Sequence, residues 1–332
     1  FFASYLSKRS QITKIGNDSS NILHRSGGVP QGSCLGPILF SIYTSDLADT
    51  IRFCSLHSYA DDCQLLLSYP SSEARTALEK INNDLSKVLM WSESNGLELN
   101  PDKCTILNLR FNNTGQSLPG DVMLNNSPLF LSETVKILGV KIDSQLKFTS
   151  HVKYIYQKVM CRLRIVCRLR SFLPVSAKLQ IVKSLILPLI YYALPAFGNS
   201  LTKEKLLILT KLENRAIRFV YGLRKFDHIS SYRKLAQIPS IQDTCKIQTV
   251  SLVHKVMTTS RPTYLKNKLV ARSINRERKT RQDALLAVPR ARLERGKKGF
   301  SHFGPQQYNS LPPEMKYLSM RAFKDKLKKM LA

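Results

Sequence analysis

Apolar residues return at three- and four-residue intervals through most of the chain, and the breaks in that rhythm mark its elements. Leu35, Ile38, Leu39, Ile42 and Tyr43 predict a half-buried helix, with Ser33 available as N-cap and Pro37 in the first turn. A second helix is predicted over 72–94, where Ala74, Leu78, Ile81, Leu85, Val88 and Leu89 share a face and Gly96 is the stop. The rhythm then shortens. Segments 97–111, 121–130 and 134–143 read as short strands parted by Asn, Gly and Pro. From residue 150 the helical period returns. Val152, Ile155, Val159, Leu163 and Val166 form one stripe, and helices follow near 176–194, 203–221 and 240–259, their apolar stripes read as core. A last helix carries Phe323, Leu327 and Leu331 with four lysines. The class is therefore α+β first and mainly α-helical afterwards.

Charge divides the chain in the same sense. The 332 residues hold 51 Lys and Arg against 23 Asp and Glu, a formal charge of +28; residues 1–100 are net −2 and the remainder net +30. A polycation of this size, with 43% hydrophobic residues for a core, is neither a neutral globular enzyme nor a disordered tail. Its partners are polyanions, nucleic acid or an anionic membrane surface. The membrane is disfavoured, because the apolar run Leu185–Phe197 is 13 residues long and contains Pro188 and Pro195, while a span needs about 20. Seven scattered cysteines without a C-x-x-C pair indicate a reducing compartment, and Cys161 and Cys167 read as half-buried thiols rather than zinc ligands. Phe1-Phe2-Ala3-Ser4-Tyr5 lacks an initiating Met and a basic leader, and reads like the interior of a longer protein.

Two motifs carry chemistry. Gly27-Gly28-Val29-Pro30-Gln31-Gly32-Ser33 is a glycine-bounded loop feeding a helix, which brings backbone N–H groups and Gln31 close to a ligand. Thirty residues on, strand-like runs flank Asp61-Asp62. Adjacent carboxylates at a hairpin tip repel each other, and a divalent cation removes the conflict. Strand alternation would point Asp61 into the site and Asp62 to its flank. An Asp-Asp pair alone is usually a solvated turn, and a lone glycine loop is usually a loop. Their succession, with an amphipathic helix between, is far less common by chance.

In that order, Gly28-Val29-Pro30-Gln31-Gly32-Ser33 and Tyr59-Ala60-Asp61-Asp62 resemble the palm of a reverse transcriptase, of the LINE type carried by retrotransposons without long terminal repeats. Leu35 to Phe40, Ile42-Tyr43 and Asp46-Leu47 are similar to the jockey-like members, with Ser45 where those often have Asn. Tyr5-Leu6-Ser7 with Arg9 and Gln11, Gly96 to Asn100 with Lys103, Leu138-Gly139-Val140, and Phe300 to Leu331 extend the resemblance over nearly the whole chain. It implies an α+β partial polymerase palm, an incomplete antiparallel sheet with helices, over 1–148. A basic helical thumb and connection follow over 149–262, and a basic arm and C-terminal helix over 263–332. It also implies RNA template, DNA primer and deoxynucleoside triphosphates as partners, Mg2+ or Mn2+ as cofactor, and a ribonucleoprotein of nucleus and cytoplasm. Asp61 and Asp62 become the catalytic, metal-holding pair. Gly28, Pro30, Gln31, Gly32, Ser33 and Lys103 become the nucleotide and template contacts, and Leu138-Gly139-Val140 a primer-gripping hairpin.

The basic stripe fits the same picture. Lys153, Lys158, Arg162, Arg164, Arg168 and Arg170 crowd one helix with no acid between His151 and Leu173, an arrangement that like-charge repulsion disfavours and a phosphate backbone reverses. The first five are the expected backbone contacts. Ala271 to Gly299, net +7 in 29 residues, reads as a mobile arm that orders on nucleic acid.

Two metal ions need a further carboxylate, which the family takes from a strand ahead of the glycine loop. Upstream of the hairpin only Asp18, Asp46 and Asp49 are acidic, Asp18 in a turn-like Asn17-Asp18-Ser19-Ser20 and the others after the loop. The expectation is a chain that begins downstream of that strand and does not polymerise by itself. The alternative is a non-catalytic RNA- or DNA-binding relic. A group II intron maturase shares the Ala-Asp-Asp core but matches the helix after the loop and the C-terminal region less well.

Overall fold

Short β-ladders in the first third give way to long helices, as the periodicity requires. The computed structural model describes residues 1–25, 27–109, 118–272 and 285–331. The chain divides into two compact units, one comprising Phe1–Ile106 and Arg110–Ser132, the other Leu107–Leu109 and Glu133–Ala332.

In the first unit the strands pair two by two. Ser55–Tyr59 (β1) and Asp62–Leu66 (β2) form an antiparallel hairpin, Arg9–Gln11 pairs with Leu23–Arg25, and Thr105–Ile106 runs parallel to Phe130–Leu131. No larger sheet is assembled among the described residues, in contrast to the incomplete sheet expected from sequence. The reason is local: strands of two to five residues broken by Asn, Gly and Pro offer too little edge for a third partner. The segment 97–111 contributes strand only at Thr105–Ile106, its last two residues lying outside the described ones.

Helix α1, Gly36–Tyr43, sits where the spacing predicted, yet Ile38, Ile42 and Tyr43 are at least half exposed instead of covered. The unit has few buried apolar side chains to meet them, chiefly Leu47, Ala77, Val122 and Leu124. Helix α2, Ala74–Ser94, is stopped by Gly96 at φ +62, with Leu97 N–H donating to Ser92 carbonyl at 2.8 Å and Gly96 N–H to Glu93 carbonyl at 3.1 Å. Its innermost line is Ala77, Asp84 and Ser92, beside the predicted stripe rather than on it.

The second unit begins with a hairpin, Thr134–Ile137 (β3) and Val140–Asp143 (β4), ahead of α3, Thr149–Cys167. On sequence grounds the hairpin was grouped with the first domain; it lies with the second unit because Val140 joins the core that covers α3. On α3, Val152, Ile155, Val159 and Leu163 are buried as predicted, while Cys161 and Cys167 are exposed, not half-buried, Cys161 because it falls on the opposite face and Cys167 because it is the last residue of the helix.

The helix predicted near 176–194 is interrupted. It runs as α4, Val175–Ile181, a π-helical turn Val182–Ile186, and α5, Leu187–Tyr191, followed by Leu194–Phe197. Pro188 cannot donate its missing N–H and crowds the carbonyl one turn back, which a widened turn relieves. By length and composition Val175–Ser200 could cross a membrane, a longer stretch than the 13 residues counted from sequence. Here Val182, Ile186, Ile190, Leu194 and Phe197 are wholly buried in the core, which accounts for its hydropathy.

Helices α6, Lys203–Tyr221, and α7, Ile241–Thr259, follow the predicted spans closely, α6 ending at Gly222 with φ +70. Ile241 and Cys245 on α7 belong to the core around α3. Farther along, Ile247, Val250, Val253 and Val256 pack with Tyr308, Phe323 and Leu327 of α8, Phe300–Asn309, and α9, Met320–Leu331. Residues 273–284 of the expected basic arm lie outside the described residues; where the chain resumes, Asn309 brackets Leu286 through both its backbone groups.

Candidate active site

The register of β1 and β2 decides where the paired aspartates stand. Tyr59 faces Asp62, so Ala60 and Asp61 are the two-residue turn, with Ala60 held at φ +54. Asp61 is therefore a turn residue, and strand alternation does not orient it as expected from sequence; Asp62 opens β2. A non-glycine residue at positive φ is strained, and such strain collects at tips that serve a purpose. Both carboxylates are exposed, and neither forms an ion pair among the described residues.

The hairpin is anchored at its base. Buried Asp84 on α2 accepts the backbone N–H groups of Arg52, Phe53 and Cys54 at 3.1, 2.8 and 2.8 Å, immediately before β1. Burial pushes the Asp84 carboxyl up, and these three N–H donors more than offset it, leaving it below the usual carboxylate range. The Cys54 thiol is pushed up to about 12 by burial and by the Asp84 charge. At the tip, burial and then the charges of Asp62 and Asp61 raise Cys63.

The glycine loop is built as its composition requires. Gly28 and Gly32 take φ of +84 and +80 with open space around them, so backbone conformation, not crowding, selects glycine there. Ser33 N–H donates to Pro30 carbonyl at 3.3 Å, and Ser33 Oγ accepts from Gly36 N–H at 3.0 Å, a capping role although the helix starts at Gly36. Gln31 is exposed at the apex. Tyr43 at the end of α1 donates its hydroxyl to the Asn95 carbonyl beyond α2.

Lys103 is exposed at the end of the short turn Pro101–Lys103. Among the described residues no hydrogen bond or ion pair joins it to the loop or to the aspartate tip. Asp46 and Asp49 are exposed near the helix Leu47–Thr50, and Asp18 is in a two-residue strand paired with Ile15, not in a turn. No group of three or more His, Cys, Asp or Glu side chains able to hold a metal exists among the described residues. Asp61 and Asp62 are thus a pair of exposed carboxylates with no third such ligand grouped with them among the described residues.

On α3, Lys153, Lys158 and Arg164 are exposed as expected, as is Arg168 just beyond its end, but Arg162 is engaged: its Nη1 donates to the Leu185 carbonyl at 2.7 Å, on the π-helical turn. Tyr191, Phe219 and Tyr221 are half-buried or buried, and Tyr192, 56% exposed, donates its hydroxyl to the Leu138 carbonyl at 2.8 Å. Leu138 and Gly139 at that tip have φ of +45 and +86. Sequence reasoning passed over Lys136, Lys141 and Tyr154. The available signal was the two lysines placed symmetrically about Leu138-Gly139, which a hairpin sets face to face.

A family model described as reverse transcriptase (RNA-dependent DNA polymerase) matches residues 2–142, the stretch holding both the glycine loop and the aspartate tip. These residues are a reverse transcriptase domain. The chain is 27% identical over 289 residues to the RNA-directed DNA polymerase from mobile element jockey of Drosophila melanogaster, which covers 84% of this chain and 31% of that protein. The jockey polymerase of Drosophila funebris is 27% identical over 261 residues, covering 75% and 28%. The probable RNA-directed DNA polymerase from transposon BS of Drosophila melanogaster is 30% identical over 229 residues, covering 65% and 25%. This kinship is homology to the RNA-directed DNA polymerases of LINE-type retrotransposons. The chain spans less than a third of the length of these relatives. Reverse transcriptases work with divalent metals on nucleic acid templates and nucleotides.

Proposed function

We propose that this chain carries part of a retrotransposon RNA-directed DNA polymerase: half of the metal-holding palm, over 1–148, and the basic thumb and connection over 149–262. In this reading a strand outside the chain completes both the sheet and the metal site. The carrying observation is the hairpin tip, where two adjacent exposed carboxylates form no ion pair among the described residues while Asp84 fixes the hairpin base. Repulsion of that kind is tolerated where a cation is to be bound. The free edges of the two-stranded ladder support the missing strand.

Asp61 and Asp62 are assigned to metal binding, the backbone around Gly28, Pro30, Gln31, Gly32 and Ser33 to template and nucleotide, and Lys103 to the triphosphate. When bound, Mg2+ or Mn2+ supplies Lewis acidity to the primer hydroxyl and the phosphates. With two carboxylates only, the chain by itself is assigned no chemical step. Exposed Lys153, Lys158, Arg164 and Arg168 lie along template and primer, and Arg162 shapes the surface from within.

Mn2+ titration followed by paramagnetic broadening tests the tip. Broadening of the Ala60 to Cys63 amides that vanishes in Asp61→Asn/Asp62→Asn is expected. Unchanged amides, or equal broadening in the variant, favour the alternative of a non-catalytic nucleic-acid-binding relic.

A further inference from the structure

Beyond α3 the chain stays wound, but loosely. Arg168, Leu169, Arg170 and Phe172 donate their backbone N–H groups to the carbonyls of Ile165, Val166, Cys167 and Leu169 at 3.0 to 3.2 Å, each three residues back, and Pro174 then caps α4. Such bonds are poorer than those of an α-helix, and a surface turn built from them opens at little cost. Ser171 sits inside this turn. It is exposed, and neither its hydroxyl nor its backbone N–H is hydrogen-bonded among the described residues.

The side chains around it form a pattern. Arg168 stands three residues before Ser171 and Arg170 one before, both exposed, and neither forms an ion pair among the described residues. No acid occurs between Asp143 and Glu204 to supply a partner locally. Phe172, one residue after, is 81% exposed and forgoes the gain of burial. A serine kinase that selects basic substrates reads this arrangement: carboxylates in its cleft pair with the arginines, an apolar pocket takes the residue after the serine, and the segment is bound extended. Other serines near basic residues lack the freedom. Ser10 follows Lys8 and Arg9 but is held in a ladder opposite His24, and Ser319 follows Lys316 by three residues but its hydroxyl accepts the Ala322 N–H at 3.4 Å.

We propose that Ser171 is a phosphorylation site for an Arg-directed serine kinase, and that the phosphate lowers the affinity of the basic face of α3 for nucleic acid. The site rests on the turn; its effect rests on the nucleic-acid reading given above. In the transfer, Ser171 Oγ attacks the γ-phosphorus of ATP. The Oγ–P bond forms as the bond from that phosphorus to the β–γ bridging oxygen breaks, ADP leaves, and the hydroxyl proton passes to a carboxylate base of the kinase. The product carries a charge of about −2 just past the carboxyl end of α3, where the helix dipole disfavours an anion, and it draws Arg168 and Arg170 onto itself. Both guanidinium groups are then lost to a nucleic-acid backbone, which the phosphate also repels.

The test incubates the full chain with ATP and a purified Arg-directed serine kinase and locates phosphate by mass spectrometry. Ser171 is expected to be modified first, Ser171→Ala to lose that phosphate, and Arg168→Gln to gain it roughly tenfold more slowly. An unmodified Ser171, or an equal rate in Arg168→Gln, overturns the site. Binding of a fluorescent RNA–DNA hybrid across a sodium chloride series then tests the effect. The phosphorylated chain is expected to bind more weakly, with the slope of log K against log salt flattened by about one to two, while kinase-treated Ser171→Ala binds like the untreated chain. Equal binding before and after modification overturns the effect. An untreated chain that binds no hybrid overturns the functional reading instead, and the site is then decided by the phosphate map alone.

Discussion

Asp84 Oδ2 accepts the backbone N–H of Cys54 at 2.8 Å, one residue before β1 begins. The same oxygen takes the Phe53 N–H, and Oδ1 takes that of Arg52. A single buried carboxylate on α2 therefore fixes the direction in which the hairpin leaves the helix layer, and with it the position of the Asp61-Asp62 tip. Asp84 touches no reacting group in this account; it is a positioning residue.

Asp84→Ala is expected to destabilise the first unit by roughly 3 kcal/mol, since three partly buried N–H groups lose a charged, buried acceptor. Amide exchange at Arg52, Phe53 and Cys54 should speed up while that of α7 stays unchanged. The sign of the pH effect follows from the depressed carboxyl. Its stabilising share is complete above the unfolded value of about 4 and is lost as pH falls through the lower folded value. Asp84→Asn should flatten that acid limb in urea denaturation; an unaltered limb contradicts the assignment.

Glu213 on α6 is wholly buried, with Arg233 Nη1 at 3.0 Å and the Tyr191 hydroxyl donating at 2.6 Å. Arg233→Ala leaves that charge without its partner and is expected to cost about 3 to 5 kcal/mol in denaturant melts. Burial raises the Glu213 carboxyl even against Tyr191 and Arg233. A raised carboxyl contributes stability that is full below the unfolded value and lost as pH rises through the folded one. The Arg233→Ala deficit should accordingly shrink in mild acid, where Glu213 takes up a proton, and a deficit independent of pH contradicts this.

Tyr192→Phe removes the hydroxyl that holds the Leu138 carbonyl. A loss of about 1 kcal/mol is expected, confined to faster amide exchange at Gly139 and Val140. A general loss of protection throughout α3 instead identifies Tyr192 as a core residue.

Much of the second unit was legible because one physical rule governs it. Val152, Ile155, Val159 and Leu163 recur at helical spacing and are buried together; in the first unit Gly96 likewise ends its helix where positive φ is needed. The aspartate tip and the glycine loop were legible from local composition. What depended on pairing was not. Asp61 becomes a turn residue only through the Tyr59–Asp62 register, and Lys136 meets Lys141 only through the β3–β4 register. Asp84 looked like one more polar residue on α2, because its partners are backbone groups that no side-chain pattern reveals. The apolar stripe of α1 promised burial that the small core of the first unit does not provide.

The most direct measurement is metal-dependent primer extension by this chain alone and by the chain joined to an upstream strand bearing an Asp, each with its Asp61→Asn counterpart. The account expects no product from the chain alone, extension from the joined form, and its loss in Asp61→Asn. Product from the chain alone, or equal extension by the joined form and its Asp61→Asn variant, contradicts the assignment of the tip as half of a metal site.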